Sequence, residues 1–299
     1  MTNMKYAFFM GCTVPARSRN YEMSSRKVAS AFGIELADIK EFSCCGFPVK
    51  SIHHEAFLMT AARNLALAEE QGLDVMTVCS ACGAVLTEVA HELRENPTLR
   101  KEINAKLAKV RDGLTYNGKT RVKHFVRVLY EDVGLDAIRS KVTKDLSMLK
   151  LAPHYGCHYL KPSKVFEGFD SVENPRSLHA LIEAAGAVPV DYEKLLFCCG
   201  GGILAFDEQS ALAMSRMKLE NIKRAGADGV VLMCPFCSVM YDDNQKAVEQ
   251  LTGEAIGLPV LFYPQVLGLA LGIDAKDLGL NMNRVKTKDL LSKLEFTPV

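Results

Sequence analysis

Ten cysteines fall into two sets of five. Cys12, the pair Cys44-Cys45 and the motif Cys79-x-x-Cys82 form the first set. Cys157, Cys198-Cys199 and Cys234-x-x-Cys237 form the second, and no cysteine is left over. In the first set 31 residues precede the pair and 33 follow it; in the second the intervals are 40 and 34. A pattern dealt twice at nearly the same spacing marks a tandem duplication. Each copy must therefore fold so that its five sulfurs have a use.

The flanking sequence repeats as well. "KYAFFMGC" corresponds to "KLAPHYGC", "EFSCCGFP" to "LFCCGGGI", and "AEEQGLDVMTVCSAC" to "NIKRAGADGVVLMCPFC". The last pair reads as a helix end, a glycine stop and a strand that delivers Cys-x-x-Cys. The preceding helices space their inward positions by three and four: Phe57, Ala61, Leu65 and Ala68, then Leu212, Ser215, Leu219 and Ile222. Strands alternating with helices predict an α/β protein made of two tandem half-domains, each with a parallel sheet and a CCG cysteine motif at the sheet edge. Residues 1–145 and 146–299 are the expected domains. A polar insertion near residues 98–120 is the main difference between them.

The remainder of the composition narrows the setting. Lys and Arg number 36 against 35 Asp and Glu, so no global field recommends nucleic acid or an acidic membrane as partner. No stretch approaches the ~20 apolar residues of a membrane span, and the start "MTNMKYAFFMGC" does not read as a signal peptide. The expected location is the cytoplasm, where structural disulfides are rare and cysteines serve metal or redox chemistry.

Carboxyl ends of parallel strands meet along one sheet edge, and Cys12, Cys79, Cys157 and Cys234 each follow an apolar strand. Three chemistries suit such thiols. Zinc in one site takes four tetrahedral ligands and leaves a fifth cysteine unexplained. A dithiol used for exchange accounts for the adjacent pair and not for Cys-x-x-Cys beside it. An iron–sulfur cluster uses thiolates and tolerates additional ligands, so it covers all five. Gly46 and Gly200 to Gly202 bring backbone N–H groups within reach of sulfur. "GGGILA" also fits the dinucleotide pattern G-x-G-x-x-A, with Glu220 downstream. Its glycines directly follow two expected ligands, however, and the matching loop "CCGFPV" has no such pattern.

Nearly the whole chain resembles the B subunit of heterodisulfide reductase, a member of the CCG or cysteine-rich domain family that also occurs in bacterial heterodisulfide reductase-like complexes. The resemblance is carried by "YAFFMGC", "ARNLALAEEQGLDVMTVCSACG", "VKHFVRVLYEDVGLD", "HYGCHYLKPS", "VDYEKLLFCCGGG", "VLMCPFC" and "LGLALGIDAKDLGL". It implies an oxidoreductase acting on sulfur groups within a multi-subunit complex. It also implies two four-iron four-sulfur clusters of the noncubane type. Cys12, Cys44, Cys45, Cys79 and Cys82 would bind one, and Cys157, Cys198, Cys199, Cys234 and Cys237 the other. A disulfide or thiol substrate, in some complexes lipoyl-bound, would lie between them. Electrons would arrive from a ferredoxin-type iron–sulfur subunit, with a flavin subunit upstream. The wider family includes electron-transfer subunits of 2-hydroxy acid, lactate and glycerol-3-phosphate dehydrogenases, which is the alternative role. Several of those carry C-x-x-C-x-x-C ferredoxin motifs; this chain has none.

A disulfide needs two electrons, and two one-electron groups flanking one S–S bond meet that need. Released thiolates need protons. His158, beside Cys157, and His154 are the expected catalytic histidines. His53, His54, His91, His124 and His179 read as structural. Arg17, Arg19, Lys50 and Lys161 place positive charge near the ligands in sequence, although each also suits a solvated surface. Leu290, Leu291 and Leu294 share a helical face that would pack on its own domain or dock a partner.

Overall fold

In the computed structural model, residues 4–295 are described. Strands β1 (Met4–Phe9), β2 (Ile34–Ala37), β3 (Asp74–Thr77) and β4 (Val122–His124) form one sheet in the order β2-β1-β3-β4. Strands β5 (Lys150–His154), β6 (Val188–Pro189), β7 (Gly229–Leu232) and β8 (Val260–Phe262) form the second in the order β6-β5-β7-β8. Every pairing is parallel. Helices join consecutive strands, as parallel pairing requires. The predicted architecture of two duplicated α/β halves is thus the one that forms.

The central strands read as apolar runs because helices cover both of their faces. All of β7 is buried, as are Ala7 to Phe9 of β1 and Leu151 to His154 of β5. The helices His54–Glu70 and Glu208–Arg224 bury the inward positions expected of them, Phe57, Ala61, Leu65 and Ala68 in one and Leu212, Ser215, Leu219 and Ile222 in the other. Each begins on a side-chain cap: His53 Nδ1 accepts from the Ala56 N–H at 3.2 Å, and an Asp207 oxygen from the Ser210 N–H at 2.9 Å. Such a cap satisfies an N–H that the helix itself leaves unpaired.

The polar insertion forms the helix Pro97–Val110, which buries Ile103 and Leu107 and exposes its charges. Its Lys106 pairs with Glu55 at 2.6 Å, in the first turn of the helix His54–Glu70.

The halves form one body with a continuous core. Helix Arg19–Ala31 of the first packs on helix Tyr263–Ala270 of the second. Tyr21 stacks on Phe262 with ring centroids 3.9 Å apart, and Asn20 donates to Asn283 at 3.0 Å. The helix Lys288–Glu295 lays Leu290 into the core, with Leu291 and Leu294 packed against it. That face covers its own domain.

Candidate iron–sulfur site

In a sheet of order 2-1-3-4 the strand order reverses between the first and third strands, which opens a crevice at their carboxyl ends. Cys12 and Cys79 emerge just past β1 and β3, and Cys157 and Cys234 just past β5 and β7. Cys79 and Cys234 occupy the N-cap positions of the helices Ser80–Glu95 and Pro235–Ser238, without capping through their side chains. Their sulfurs instead face the neighbouring cysteines.

The adjacent pairs come from tight loops. Gly46 and Gly200 hold φ of +96° and +87°, a region where a side chain is strained. Each loop also presses on the helix that follows. A Cβ on Gly200 would lie 2.6 Å from the Ala211 carbonyl oxygen, and one on Gly46 3.2 Å from that of Phe57. The predicted N–H donors are in place: Gly46 N–H faces Cys44 Sγ, Gly200 N–H faces Cys198 Sγ and Gly201 N–H faces Cys199 Sγ, each at 3.4 Å. Gly202 has open space at its Cβ. The glycine run therefore serves cysteine geometry.

The ten thiols form one array. Cys44 neighbours Cys12 and Cys45, Cys45 neighbours Cys82, and Cys82 neighbours Cys79. Cys79 in turn neighbours Cys234 of the other half, and each shifts the other's titration. From there the array runs to Cys237, to Cys199 at 3.5 Å, to Cys198 and to Cys157. Cys12, Cys157 and Cys198 are exposed at the rim, while Cys45, Cys79, Cys82, Cys199, Cys234 and Cys237 are buried.

Crowding pushes some of the thiols up and holds others down. Hydrogen bonding to Cys198 pushes Cys157 up, and the same contact holds Cys198 down. Cys79 is pushed up by its contact with Cys234, and Cys82 by its contact with Cys45. Cys45 is held down to about 7, chiefly by Cys82. So many thiolates cannot be charged together in a small buried volume without cations among them.

Other groups fit an iron–sulfur occupant. A Cβ on Gly11 would sit 2.8 Å from Cys82 Sγ, so only glycine admits that sulfur. The hydroxyls of Ser80 and Tyr241 are buried without a partner; Ser80 lies between Cys79 and Cys82, and Tyr241 feels the charge of Cys199 and Cys237. Such groups can donate to inorganic sulfide. Among the described residues no three His, Cys, Asp or Glu side chains converge as ligands of a single ion. A cluster that brings its own sulfides asks for thiolates spread over a larger volume.

His158 lies at the rim, half-buried, with Nδ1 3.1 Å from Cys157 Sγ and its ring edge-on to Phe47 of the other half. Burial lowers its pKa. His154 is only 1% exposed and lies behind Cys237, with Nε2 3.3 Å from that sulfur. Its Nδ1 faces Lys218 Nζ at 3.4 Å, and burial holds the ring neutral. Arg17, Arg19, Lys50 and Lys161 are exposed, Arg17 paired with Asp243 and Lys50 with Glu88.

Lys218 is not among the residues the sequence singles out. It is 1% exposed, donates to the Leu195 carbonyl at 2.8 Å and lies against the face of Tyr192. Burial lowers it to about 8, against the pull of Cys237 and Cys199. A signal for it exists: Lys218 falls three residues after Ser215 and four before Ile222, on the helix's buried stripe. His124, expected to be structural, joins the halves. With Tyr21 it grips the Met233 carbonyl, next to Cys234, at 3.0 and 3.1 Å.

These features define a duplicated cysteine-rich protein. The description "Cysteine-rich domain" (CCG) matches residues 6–87 and 151–242, and the chain belongs to that family. It is 35% identical over 294 residues to the B subunit of the ferredoxin:CoB-CoM heterodisulfide reductase of Methanosarcina mazei, covering 97% of each chain. It is 38% identical over 287 residues to the 8-methylmenaquinol:fumarate reductase membrane anchor subunit of Wolinella succinogenes, covering 96% of this chain and 99% of that one. A hypothetical protein from Helicobacter pylori shares the fold, with a TM-score of 0.76 at 17% identity over 96% of this chain and 53% of that one.

Proposed function

We propose that the chain is the iron–sulfur subunit of a heterodisulfide reductase or a related complex, and that it cleaves or forms a disulfide between two cysteine-held clusters. Residues 1–145 and 146–299 are the two cluster-binding units, with five cysteines each. The observation that carries this reading is the seam beside Cys234: Tyr21 and His124 of the first half hydrogen-bond the Met233 carbonyl at 3.1 and 3.0 Å, and Cys79 lies close enough to Cys234 for each to shift the other's titration, so both cysteine sets come to one place. The clusters, of the noncubane four-iron type, supply one electron each when bound.

The chain's own residues supply the rest. The ten thiolates hold the irons, and the Gly46, Gly200 and Gly201 N–H groups offset sulfur charge. His158, at the rim beside Cys157 and Phe47, is placed to hand a proton to a departing thiolate. His154 faces inward and holds Cys237. The protein works in the cytoplasm with a ferredoxin-type subunit and a flavin subunit. The names of the heterodisulfide reductase relatives and the lack of a ferredoxin motif support this arrangement.

A second reading makes the chain an electron-transfer subunit that cleaves nothing, and the similarity to the fumarate reductase subunit favours it. That relative is named a membrane anchor; among the described residues no helix is long and apolar enough to cross a membrane. The test is disulfide turnover by anaerobically reconstituted protein with an artificial reductant, alongside iron and sulfide analysis. About eight irons per chain with turnover are expected. Full iron without turnover selects the electron-transfer reading. Four irons with one zinc would make one half structural.

A further inference from the structure

The two cysteine sets are matched in sulfur and unmatched in what stands behind it. Residues 44–72 superpose in sequence on residues 198–226 without a gap, so that Cys45 corresponds to Cys199, Gly46 to Gly200 and Phe57 to Ala211. The structure repeats the match, since Gly46 abuts Phe57 as Gly200 abuts Ala211. On that register Lys218 corresponds to Asn64. Strand register completes the comparison: Phe9 pairs with Thr77 at the end of β1, as His154 pairs with Leu232 at the end of β5. His154 therefore takes the place of Phe9. Four residues past the last cysteine of each set stand Leu86 and Tyr241.

The C-terminal site thus buries a lysine, a histidine and a tyrosine where the N-terminal site buries Asn64, Phe9 and Leu86. The lysine and the histidine form a directed chain. Lys218 Nζ can only donate, so His154 Nδ1 accepts and Nε2 carries the hydrogen. That N–H points at Cys237 Sγ. Asn64 instead donates to the Cys44 carbonyl at 2.9 Å and accepts from the Ser43 N–H at 3.0 Å; it shapes its loop and carries no charge. Lys50, which follows the N-terminal pair, is exposed and paired with Glu88.

We propose that Lys218, acting through His154, holds the C-terminal iron–sulfur group at a higher reduction potential than the N-terminal one. The proposal rests on the reading that both sites hold clusters. Reduction adds one electron and makes or breaks no bond, and the added negative charge falls largely on iron and sulfur. A buried cation and an N–H donor aimed at a ligand sulfur stabilise that charge. Solvent access does not cancel the effect. Cys45, Cys79 and Cys82 are 3, 6 and 3% exposed, and Cys199, Cys234 and Cys237 are 7, 6 and 4% exposed. At the rim Cys198 is exposed where its counterpart Cys44 is half-buried, and greater solvent access also favours the reduced C-terminal group, so access and charge act in the same direction. Lys218 and His154 are positioning residues, and the C-terminal half is where an arriving electron rests.

The test is a redox titration of the anaerobically reconstituted full chain with dithionite, followed by EPR, with iron counted in every sample. Cys45→Ser and Cys199→Ser each remove one transition and so assign both. The transition missing from Cys199→Ser is expected to be the one at higher potential in the wild type. Lys218→Asn installs the other half's residue. It is expected to keep its iron, to weaken C-terminal reduction at least tenfold, about 59 mV for one electron, and to leave the N-terminal transition unmoved. His154→Phe is expected to shift the same transition in the same direction. Equal or inverted wild-type potentials overturn the proposal, as does a fully loaded Lys218→Asn protein with an unmoved C-terminal transition. If Lys218→Asn takes up no iron, the order of the wild-type transitions decides. A wild-type chain that takes up no iron overturns the cluster reading as well, and is told apart by its iron count.

Discussion

Cys79 and Cys234 neighbour each other across the junction of the two halves, close enough for each to shift the other's titration. Each opens a Cys-x-x-Cys motif, so this proximity brings together the buried ends of the two sets. If one substrate bond is addressed from both sides, neither set suffices alone. Cys45→Ser and Cys199→Ser are each expected to be close to inactive in disulfide turnover, even where EPR shows the other cluster assembled. Full turnover by Cys45→Ser with its cluster gone would reduce the N-terminal half to a wire.

His158→Gln keeps a side chain of similar size and leaves all ten cysteines in place. Clusters are expected to assemble, and turnover to fall by ~10²–10⁴ if the histidine is the proton donor. A wild-type rate would assign the proton to water or another residue.

The three glycines after Cys199 are not equivalent. A Cβ on Gly200 runs into the Ala211 backbone, at a φ that side chains avoid. Gly200→Ala is expected to cost about 1–3 kcal/mol and to lose C-terminal iron. Gly202→Ala meets nothing and is expected to keep both stability and iron. Iron analysis and thermal melts check the pair; equal sensitivity at both positions would contradict the role given to the loop.

His124 makes the junction sensitive to acid. Burial lowers its pKa from 6.5 to about 4. The folded protein therefore holds the ring neutral while the unfolded chain protonates. The resulting stability is fully present above pH 6.5 and is lost as pH falls toward 4, by up to about 1.4 kcal/mol per unit. His124→Gln retains an N–H for the Met233 carbonyl and does not titrate. Anaerobic melts at pH 7 and 5.5 are expected to show a smaller loss in the variant. Parallel losses would place the acid sensitivity elsewhere.

The duplication, the parallel sheets and the cysteine sets are legible in the sequence because they rest on local patterns: apolar runs, a helical stripe and a repeated spacing. The use of the glycines is legible for the same reason, since each loop lies next to its cysteines. The contact between Cys79 and Cys234 is not legible, because no period in one half encodes how it meets the other. His154 stands out in the sequence for its nearness to Cys157, yet its ring faces Cys237. A strand end sends its last side chain toward the neighbouring strand's loop, which linear proximity does not reveal. Lys218 escapes a search of the stripe for apolar members. A charge on a buried stripe is itself a signal when the aligned residue in the other copy is neutral.

The Met233 carbonyl takes hydrogen bonds from Tyr21 and His124, both in the other half, and the next residue is Cys234. Any hinge between the halves wide enough to break those bonds also drags a sulfur. Seating the halves and aligning the sulfurs are therefore one cooperative event, and a chain loosened at this seam misplaces its redox centre before it visibly unfolds.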